Sequence, residues 1–311
     1  MSSEFLHFTP QVTADGSFTF FSPEFGECFH SRQGAKLEAE QKFVVPLQLA
    51  QKATQPVIKL LDICYGLGYN TAAALATIWQ INPDCQVQWW GLELVPGVPQ
   101  AAIRENLLRE WPAPIPEILT TLGTQFRIKT DYLDAKLLIG DARVTLHQVI
   151  ESGFLADAIF LDPFSPPTCP QLWTVEFLGL VSHCLKPDGK LATYSCAAAV
   201  RRALQMAGLQ IGSTAPIGRK SPGTLASFSP LDLFPLSVKE QEHLNTRAAI
   251  PYRDPSLTDP ATLIHQRREQ EQQISSLEPT SQWKKRGGAE GQRGRGAEEQ
   301  RSRGAEGQGR N

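Results

Sequence analysis

The chain has 311 residues, enough for one large domain or two ordinary ones. Hydrophobic residues make up 41% of it and charged residues 20%, with a net charge of −2, which excludes a fibrous or wholly disordered protein. No apolar run approaches the roughly 18 residues that a membrane span needs, and the first residues show no signal-peptide pattern. We therefore expect a cytoplasmic protein that has no membrane partner.

The segment before residue 57 is predicted to form a small covering unit. Ser17–Ser22 has β character and aromatic residues suited to a hairpin, and a helix is predicted from about Ala35 to Ala53. We expect this part, residues 1–56, to cover the ligand site of the domain that follows.

Residues 57–229 alternate short apolar strands with helices. Strands are predicted at Val57–Ile63, Val87–Leu92, Lys136–Ile139, Ala158–Leu161, Lys190–Ser195, Leu209–Ser213 and Thr224–Phe228. Helices are predicted at about 69–81, 97–110, 143–151, 172–185 and 197–207. Repeated βα units of this kind predict an α/β, Rossmann-like fold, with a mostly parallel seven-stranded sheet and helices on both faces. The last two strands are joined by a short Gly- and Pro-rich loop and are expected to pair antiparallel.

The segment after this core is predicted to be helical and peripheral. Residues Ser237 to Arg253 indicate a capped helix that runs into a Pro-rich loop, and 261–276 indicates a charged helix. We interpret residues 230–280 as a helical appendage or linker.

The last segment is of low complexity and repeats every eight residues. The pentapeptides at 288–292, 296–300 and 304–308 are nearly identical. Such a stretch cannot bury enough apolar surface to offset the entropy of ordering, so we expect disorder over 281–311. Residues 284–311 carry eight Lys and Arg against four Glu, which leaves the rest of the chain at −6. An acidic body argues against a broad nucleic-acid-binding face.

The six cysteines show no pattern that indicates a metal site or a disulfide framework. They are scattered along the chain, with no C-x-x-C pair and no histidine at ligand spacing. Cys184 and Cys196 lie inside apolar runs. We expect small buried thiols in a reducing compartment, and no bound metal.

A Gly-x-Gly turn joins the first strand of the core to its first helix. Gly66 and Gly68 allow a tight turn and a close approach of the backbone to a ligand at the carboxyl edge of the sheet. Gly-x-Gly alone is weak evidence, but Glu93 ends the next strand, where a carboxylate can accept hydrogen bonds from ribose hydroxyls. We predict that the turn from Asp62 to Gly68, with Asn70 and Glu93, binds a nucleoside-containing cofactor.

Two residues of this segment distinguish between cofactors. The dinucleotide fingerprint requires a third glycine at the position of Thr71. The carboxylate of Asp62, just before the turn, would repel a pyrophosphate but suits a ligand that carries a sulfonium and an ammonium group. The pattern therefore favours S-adenosylmethionine over NAD.

A third acid, Asp141, follows the third strand and is followed by Ala142. In methyltransferases this position binds the adenine amino group, and we predict that role for both residues because Asp62 and Glu93 stand in register with them. The alternative is a plain helix N-cap, with Arg143 on the first turn.

The fourth strand ends in Asp162, Pro163 and Phe164. An acid followed by proline and an aromatic residue is how amine-directed methyltransferases present their target nitrogen. The carboxylate accepts a hydrogen bond from the amine, the proline stiffens the turn, and the ring can stack on a base. We predict that these three residues are catalytic; an ordinary Pro-rich loop is the alternative.

Several blocks of the chain, together covering roughly residues 13 to 229, resemble the methyltransferase domain of the MnmC family. They are Asp162–Pro167, Leu172–Thr174, Leu185–Tyr194, Val200–Gly208 and Gly218–Lys220. The block from Gly26 to Ala39 is similar to the N-terminal segment of stand-alone members. In this family a bifunctional bacterial enzyme completes 5-methylaminomethyl-2-thiouridine at the wobble position of tRNA.

The resemblance implies that 57–229 is an S-adenosylmethionine-dependent methyltransferase domain. Its acceptor would be the aminomethyl group of the modified wobble uridine, with tRNA as the partner and no required protein partner evident. His30 and Ser31 in the N-terminal block, and Arg219 and Lys220 in the loop near residue 219, are the candidate contacts with tRNA.

The chain departs from the family pattern at three points. Cys64 stands where the glycine-rich motif usually has its first glycine, and Asp62 where glutamate is commoner. The FAD-dependent oxidase half has no counterpart, so we expect no FAD. Two other functions stay open: an N-methyltransferase acting on another base, a protein or an amine, and a non-catalytic RNA-binding protein of the same fold.

Overall fold

The computed structural model describes residues 8–214 and 222–286, and its centre is one eight-stranded sheet. The strands of this sheet are β5 Val57–Ile63, β6 Gln86–Glu93, β7 Arg127–Lys129, β8 Leu133–Ile139, β9 Ala156–Leu161, β10 Leu185–Thr193, β11 Gln210–Ser213 and β12 Thr224–Ser227. Their order across the sheet is β11-β12-β10-β9-β5-β6-β8-β7. The winding direction changes between β5 and β9, and in open α/β sheets ligands bind in the crevice at such a point.

The sheet is mostly parallel, as the sequence predicts. The strands β8, β6, β5, β9 and β10 pair in parallel, β12 pairs antiparallel to both β10 and β11, and β7 pairs antiparallel to β8. All seven predicted strands are present, but the predicted strand number is one too low. The missed strand, Arg127–Lys129, is only three residues long and lies at the sheet edge, so it has too few residues to show an apolar pattern.

Helices cover both faces of the sheet. They are α1 Ala35–Glu38, α2 Leu49–Lys52, α3 Tyr69–Ile81, α4 Gly97–Arg104, α5 Ile115–Gln125, α6 Ala142–Glu151, α7 Val175–His183, α8 Ala198–Met206, α9 Val238–His243 and α10 Ala261–Ile274. A π-helix spans Ala39–Val44, and 3₁₀ turns span Pro170–Trp173 and Arg247–Ala249. Successive residues of β5 point to opposite faces, so Leu60 and Leu61 belong to two separate buried cores.

Three predicted helices are wrong in extent. The helix predicted at 97–110 ends at Arg104 because Asn106 adopts a left-handed conformation (φ 55°), which terminates helices. The helix predicted at 172–185 starts as a 3₁₀ turn and becomes α-helical only at Val175. The predicted helix from Ser237 to Arg253 has its capping box, between Ser237 and Glu240, but ends at His243.

The N-terminal part differs more from its prediction. The remaining strands are β1 Gln11–Val12, β2 Phe18–Thr19, β3 Phe21–Ser22 and β4 Glu27–Cys28. Residues 17–22 do not form one hairpin, since β2 pairs with β1 and β3 pairs with β4. The helix predicted from Ala35 to Ala53 is broken at Gln48, which adopts a left-handed conformation (φ 57°) and accepts a hydrogen bond from Lys190 at 2.7 Å.

The appendage packs against the core. Tyr252 and Ile264 are buried within the same hydrophobic cluster as residues of β9 and β10.

Within the described residues, no helix combines the length and the apolar composition that crossing a membrane requires. Arg219, Lys220 and residues 287–311 of the predicted tail lie outside the described residues. Residues 281–286, for which the sequence predicts disorder, are described and are helical.

Candidate active site

A cavity of about 750 Å³ opens at the carboxyl ends of β5, β6 and β9. This volume is within the range of small-molecule and cofactor sites. The strand ends and the loop at 162–172 form its inner wall, and residues 22–32 form its outer wall, which we call the N-terminal cover. The cavity thus lies at the winding change between β5 and β9, where the fold predicts a ligand.

The glycine turn forms part of the inner wall. Gly66 lines the cavity in a left-handed conformation (φ 57°), and its backbone NH donates to Oε2 of Glu93 at 2.9 Å. Gly68, with φ 88°, lies beneath it, and a Cβ there would come within 2.6 Å of the Tyr65 hydroxyl. The turn therefore requires glycine at position 68 and brings the backbone close to the cavity at position 66.

Glu93 links this turn to the end of β6. Its Oε1 accepts a hydrogen bond from the Val95 backbone NH at 3.0 Å, and its side chain lines the cavity although only 8% of the residue is exposed. Burial raises the pKa of the Glu93 carboxyl, and the backbone hydrogen bonds partly offset that rise. A carboxylate has about four acceptor positions, so Glu93 keeps capacity for ribose hydroxyls.

Asp62 lies beneath the turn and is fully buried. Its Oδ2 accepts a hydrogen bond from the Thr71 hydroxyl at 2.7 Å, whereas Oδ1 accepts none from the described residues. Burial, with a smaller contribution from Glu93, raises the pKa of Asp62 to about 7. Asp62 does not itself line the cavity, which Cys64 and Gly66 of the same turn do. A buried carboxylate oxygen without a donor behind this wall fits a positively charged ligand, so the residues here suit S-adenosylmethionine.

Asp162 follows β9 and lines the same cavity. Its backbone NH donates to the Ile63 carbonyl at 3.1 Å, which ties the loop to β5. Its Oδ2 accepts a hydrogen bond from Nδ2 of Asn70 at 2.9 Å. Asn70, which the sequence assigns to the cofactor, does not line the cavity and is in contact with Asp162 instead.

The carbonyl groups of the two residues after Asp162 are held by aromatic side chains. The Pro163 carbonyl accepts a hydrogen bond from the Tyr194 hydroxyl at 2.9 Å, and the Phe164 carbonyl accepts one from Nε1 of Trp173 at 2.8 Å. The loop that carries Asp162 is therefore fixed at two consecutive residues.

The ring of Phe164 already has an aromatic partner. It stacks on Phe25 of the N-terminal cover, with centroids 4.3 Å apart and planes at 17°, and it meets Phe29 edge-on at 5.1 Å. One face of Phe164, predicted to stack on a base, is thus occupied by Phe25.

Glu27 also lines the cavity, although no role for it is predicted from the sequence. Its carboxylate accepts hydrogen bonds from the Ser165 backbone NH at 3.0 Å, from the Ser165 hydroxyl, and from the Thr168 hydroxyl at 2.8 Å. The cover is therefore bonded to the loop that carries Asp162. The only sequence signal was the position of Glu27 within the block that resembles the MnmC family.

The two candidate tRNA contacts within the cover line the cavity. His30 Nδ1 lies 3.3 Å from the Thr19 hydroxyl, and the Ser31 backbone NH donates to Oε2 of Glu38 at 2.8 Å. Both are thus placed by the N-terminal part, on the wall opposite the strand ends.

Asp141 and Ala142 do not line the cavity. Asp141 is the N-cap of α6, accepts a hydrogen bond from the Arg143 backbone NH at 2.9 Å and forms an ion pair with the Arg143 side chain at 2.7 Å. Arg143 in turn pairs with the fully buried Asp254 of the appendage at 2.9 Å. The geometry matches the N-cap alternative, and the role in adenine binding stays a prediction.

The side chains around the cavity are predominantly acidic. Five carboxylates line it, those of Glu24, Glu27, Glu38, Glu93 and Asp162, against one guanidinium, that of Arg32. This balance suits a cationic ligand or an amine. Among residues 8–214 and 222–286, no group of three His, Cys, Asp or Glu side chains is placed to hold a metal ion.

Comparisons with known proteins identify the family of the chain. A family model described as S-adenosyl-L-methionine-dependent methyltransferase matches residues 99–229. The crystal structure of MnmC2 from Aquifex aeolicus superposes with a TM-score of 0.76 and 33% identity, covering 88% of each chain. The chain belongs to the MnmC-like family of S-adenosylmethionine-dependent methyltransferases. The predicted family, fold class and enzyme class are thereby confirmed.

Two further relatives match most of this chain. An uncharacterised protein of Methanocaldococcus jannaschii is 31% identical over 254 residues, which is 79% of this chain and 67% of that one. The tRNA 5-methylaminomethyl-2-thiouridine biosynthesis bifunctional protein MnmC of Ralstonia nicotianae is 29% identical over 238 residues. That match covers 71% of this chain but 34% of the relative, so the chain spans about a third of the bifunctional protein.

Proposed function

We propose that this MnmC-like methyltransferase methylates the aminomethyl group of the modified wobble uridine of tRNA, converting 5-aminomethyl-2-thiouridine to 5-methylaminomethyl-2-thiouridine. The observation that carries the proposal is the position of Asp162, on the wall of an acidic cavity that the glycine turn also lines. The name of the Ralstonia relative, which includes this modified nucleoside, supports the choice of acceptor. A tRNA substrate would place the protein in the cytoplasm.

The residues of the turn are suited to hold the cofactor. Gly66 would approach it through the backbone, Glu93 would accept hydrogen bonds from its ribose, and the buried charge of Asp62 would stabilise its cationic end. When bound, S-adenosylmethionine supplies a methyl group activated by a sulfonium. Asp141 stays a candidate for binding the adenine amino group of the cofactor, because it lies just after the end of β8.

Asp162 would orient the amine and receive its proton. An alkyl ammonium has a pKa of about 10, and a carboxylate beside it favours the charged form, so Asp162 alone cannot activate the amine by charge. Its contribution is geometric: the loop around it is fixed by Tyr194 and Trp173, so the amine nitrogen is held in one position. The proton released on methylation passes to the carboxylate.

A methylation assay with two tRNA preparations tests the acceptor. One comes from cells that make the aminomethyl wobble precursor, and the other from cells that lack it. We expect methyl transfer only to the first, located at the wobble nucleoside by mass spectrometry of the digested tRNA. Equal transfer to both preparations, or transfer to another position, would contradict the proposed acceptor and favour another amine substrate.

The variant Asp162→Ala tests the site within the same assay. We expect kcat to fall roughly 100-fold or more, because both the orientation of the amine and the proton acceptor are lost. The dissociation constant for S-adenosylmethionine, measured by calorimetry, should change less than about threefold. A near-normal kcat would show that Asp162 does not have this role.

A further inference from the structure

We infer that Asn70 is a positioning residue that acts through Asp162: its side-chain amide orients the Asp162 carboxylate and keeps it ionised for the acceptor amine. The inference deepens the proposed function and rests on the role of Asp162 proposed there. It replaces the sequence-based prediction that Asn70 binds the cofactor.

The fold brings the two residues together from distant parts of the chain. Asn70 is the second residue of α3, directly after the glycine turn, and Asp162 follows β9. The strands β5 and β9 are neighbours, so the start of α3 lies beside the loop after β9. Asn70 is only 4% exposed, and its Nδ2 lies 2.9 Å from Oδ2 of Asp162. The amide is therefore fixed by packing as well as by this bond.

The orientation of the amide supports a role directed at Asp162. If the amide were rotated by 180°, Oδ1 of Asn70 would face a carboxylate oxygen, and two acceptors would meet. With the donor facing Asp162, Oδ1 of Asn70 is buried and accepts no hydrogen bond from the described residues. A buried, unpaired carbonyl is costly and uncommon, so an apolar residue would serve packing better here. The polar group at position 70 is explained by its bond to Asp162.

The bond has two chemical consequences. A hydrogen bond donated to the ionised form of an acid favours that form. It also limits rotation of the carboxylate, so that the direction from which an amine can donate is set before the substrate binds. Both effects act on the acceptor side of the reaction, whereas a cofactor contact would act on binding of S-adenosylmethionine.

The surroundings of Asp162 make such a donor useful. The charged and titratable side chains that line the cavity with Asp162 are Cys64, Glu93, Cys169 and Tyr194 on the inner wall, and Glu24, Glu27, Cys28, His30, Arg32 and Glu38 in the N-terminal part. The four carboxylates in this set, Glu24, Glu27, Glu38 and Glu93, disfavour a further negative charge. The Asn70 donor opposes their effect at Asp162.

Two variants test the inference in the full-length enzyme. Asn70→Ala removes the donor, and Asn70→Asp keeps the shape of the side chain but replaces the donor by an acceptor. We expect kcat with aminomethyl tRNA at pH 7 to fall roughly 10- to 100-fold in both. The acid limb of the kcat–pH profile should move to higher pH by about one unit in Asn70→Ala, and further in Asn70→Asp. The dissociation constant for S-adenosylmethionine should stay within about threefold of wild type.

Thr71→Val is the matched control. Thr71 is the next residue of α3, and its hydroxyl donates a hydrogen bond to the buried carboxylate of Asp62. We expect this variant to weaken S-adenosylmethionine binding and to leave the acid limb of kcat, measured at saturating cofactor, where it is in wild type. A wild-type acid limb in Asn70→Asp, or weaker cofactor binding with normal kcat in either Asn70 variant, would overturn the inference.

A substrate-free measurement separates this inference from the proposed function. Carbon-13 NMR of the Asp162 carboxyl group, assigned by comparison with Asp162→Asn, reports its ionisation without any acceptor. We expect the carboxyl of Asp162 to titrate at higher pH in Asn70→Ala than in wild type, even if the enzyme does not methylate aminomethyl tRNA. An unchanged titration would overturn the inference, whereas absence of methyl transfer by wild type would overturn only the acceptor.

Discussion

Glu27, in the N-terminal cover, accepts hydrogen bonds from both the backbone NH and the hydroxyl of Ser165, which lies 138 residues further along the chain. Phe25 adds a stacking contact with Phe164 on the same loop. The cover and the loop that carries Asp162 are thus one connected unit. Any change that displaces the cover is expected to act on the catalytic loop.

The variant Glu27→Gln tests this connection. The glutamine NH₂ would face groups that are themselves donors, so one or more of the three hydrogen bonds should be lost, which corresponds to roughly 1–3 kcal/mol. We expect kcat with aminomethyl tRNA to fall about tenfold or more. The control is Glu117→Gln, an exposed residue of α5 that does not line the cavity, which should behave as wild type. Equal kcat in the two variants would show that the Glu27 bonds do not support the loop.

The raised pKa of Asp62 predicts a pH dependence of stability. Its pKa of about 7 in the folded protein lies above the ordinary value of 3.8, so folded protein retains a proton that the unfolded chain releases. The free energy of unfolding should therefore fall, through this group, as the pH rises from about 4 to about 7. Asp62→Asn removes the titrating group, so the difference between variant and wild type should grow by roughly 1.4 kcal/mol per pH unit between pH 5 and 7.

Urea unfolding at pH 5, 6, 7 and 8 measures this difference. Calorimetry at pH 8 should show weaker S-adenosylmethionine binding by Asp62→Asn, because a negative charge near the cationic cofactor is lost. If the free energy of unfolding changed with pH by the same amount in wild type and in Asp62→Asn, Asp62 would not be the titrating group.

Gly68→Ala is expected to damage the turn. The left-handed backbone and the contact of the new Cβ with the Tyr65 hydroxyl at 2.6 Å both oppose alanine, with a cost of roughly 1–3 kcal/mol. We expect a lower melting temperature and weaker S-adenosylmethionine binding. The control is Gly179→Ala within α7, where a Cβ meets nothing within 4 Å, and alanine should stabilise by about 0.5–1 kcal/mol. An equal loss of stability in Gly68→Ala and Gly179→Ala would show that the conformation of the turn does not cause the effect.

Asp254→Ala should destabilise the protein strongly. It leaves the side chain of Arg143, only 12% exposed, without its buried partner, and breaking a buried ion pair typically costs about 3–5 kcal/mol. The comparison is Lys129→Ala, which removes an exposed pair with Asp134 and should cost less than about 1 kcal/mol. Urea unfolding distinguishes the two, and similar small losses would mean that the remaining ion pair with Asp141 is enough to hold Arg143.

The local features of the site could be predicted from the sequence. The glycine turn, the acid at the end of β6 and the Asp162 motif each follow a strand directly, and a parallel sheet brings such strand ends to one edge. For the same reason seven strands of the sheet were identified within a few residues. The helix at Ile115–Gln125 was missed because threonines and a glycine within it weaken the helical pattern.

The contacts between distant segments could not be predicted. Glu27 with Ser165, and Asn70 with Asp162, are joined only by tertiary packing, and nothing in the local pattern at Asn70 distinguishes a cofactor contact from a support. The pairing of the N-terminal strands could not be predicted either, because strands of two residues leave the register to the surrounding packing.

The buried position of Asp254 bears on whether the methyltransferase core can fold without the segment that follows it. Tyr252 and Ile264 complete the same core as the sheet, and the ring of Trp283 stacks on His243 at 4.7 Å. A chain shortened to residue 229 would keep every strand of the sheet, yet it would expose apolar surface and leave the Arg143 charge without the Asp254 partner. The minimal folding unit therefore extends past residue 229 to at least Trp283, and the boundary at 229 separates sequence patterns rather than independently stable parts.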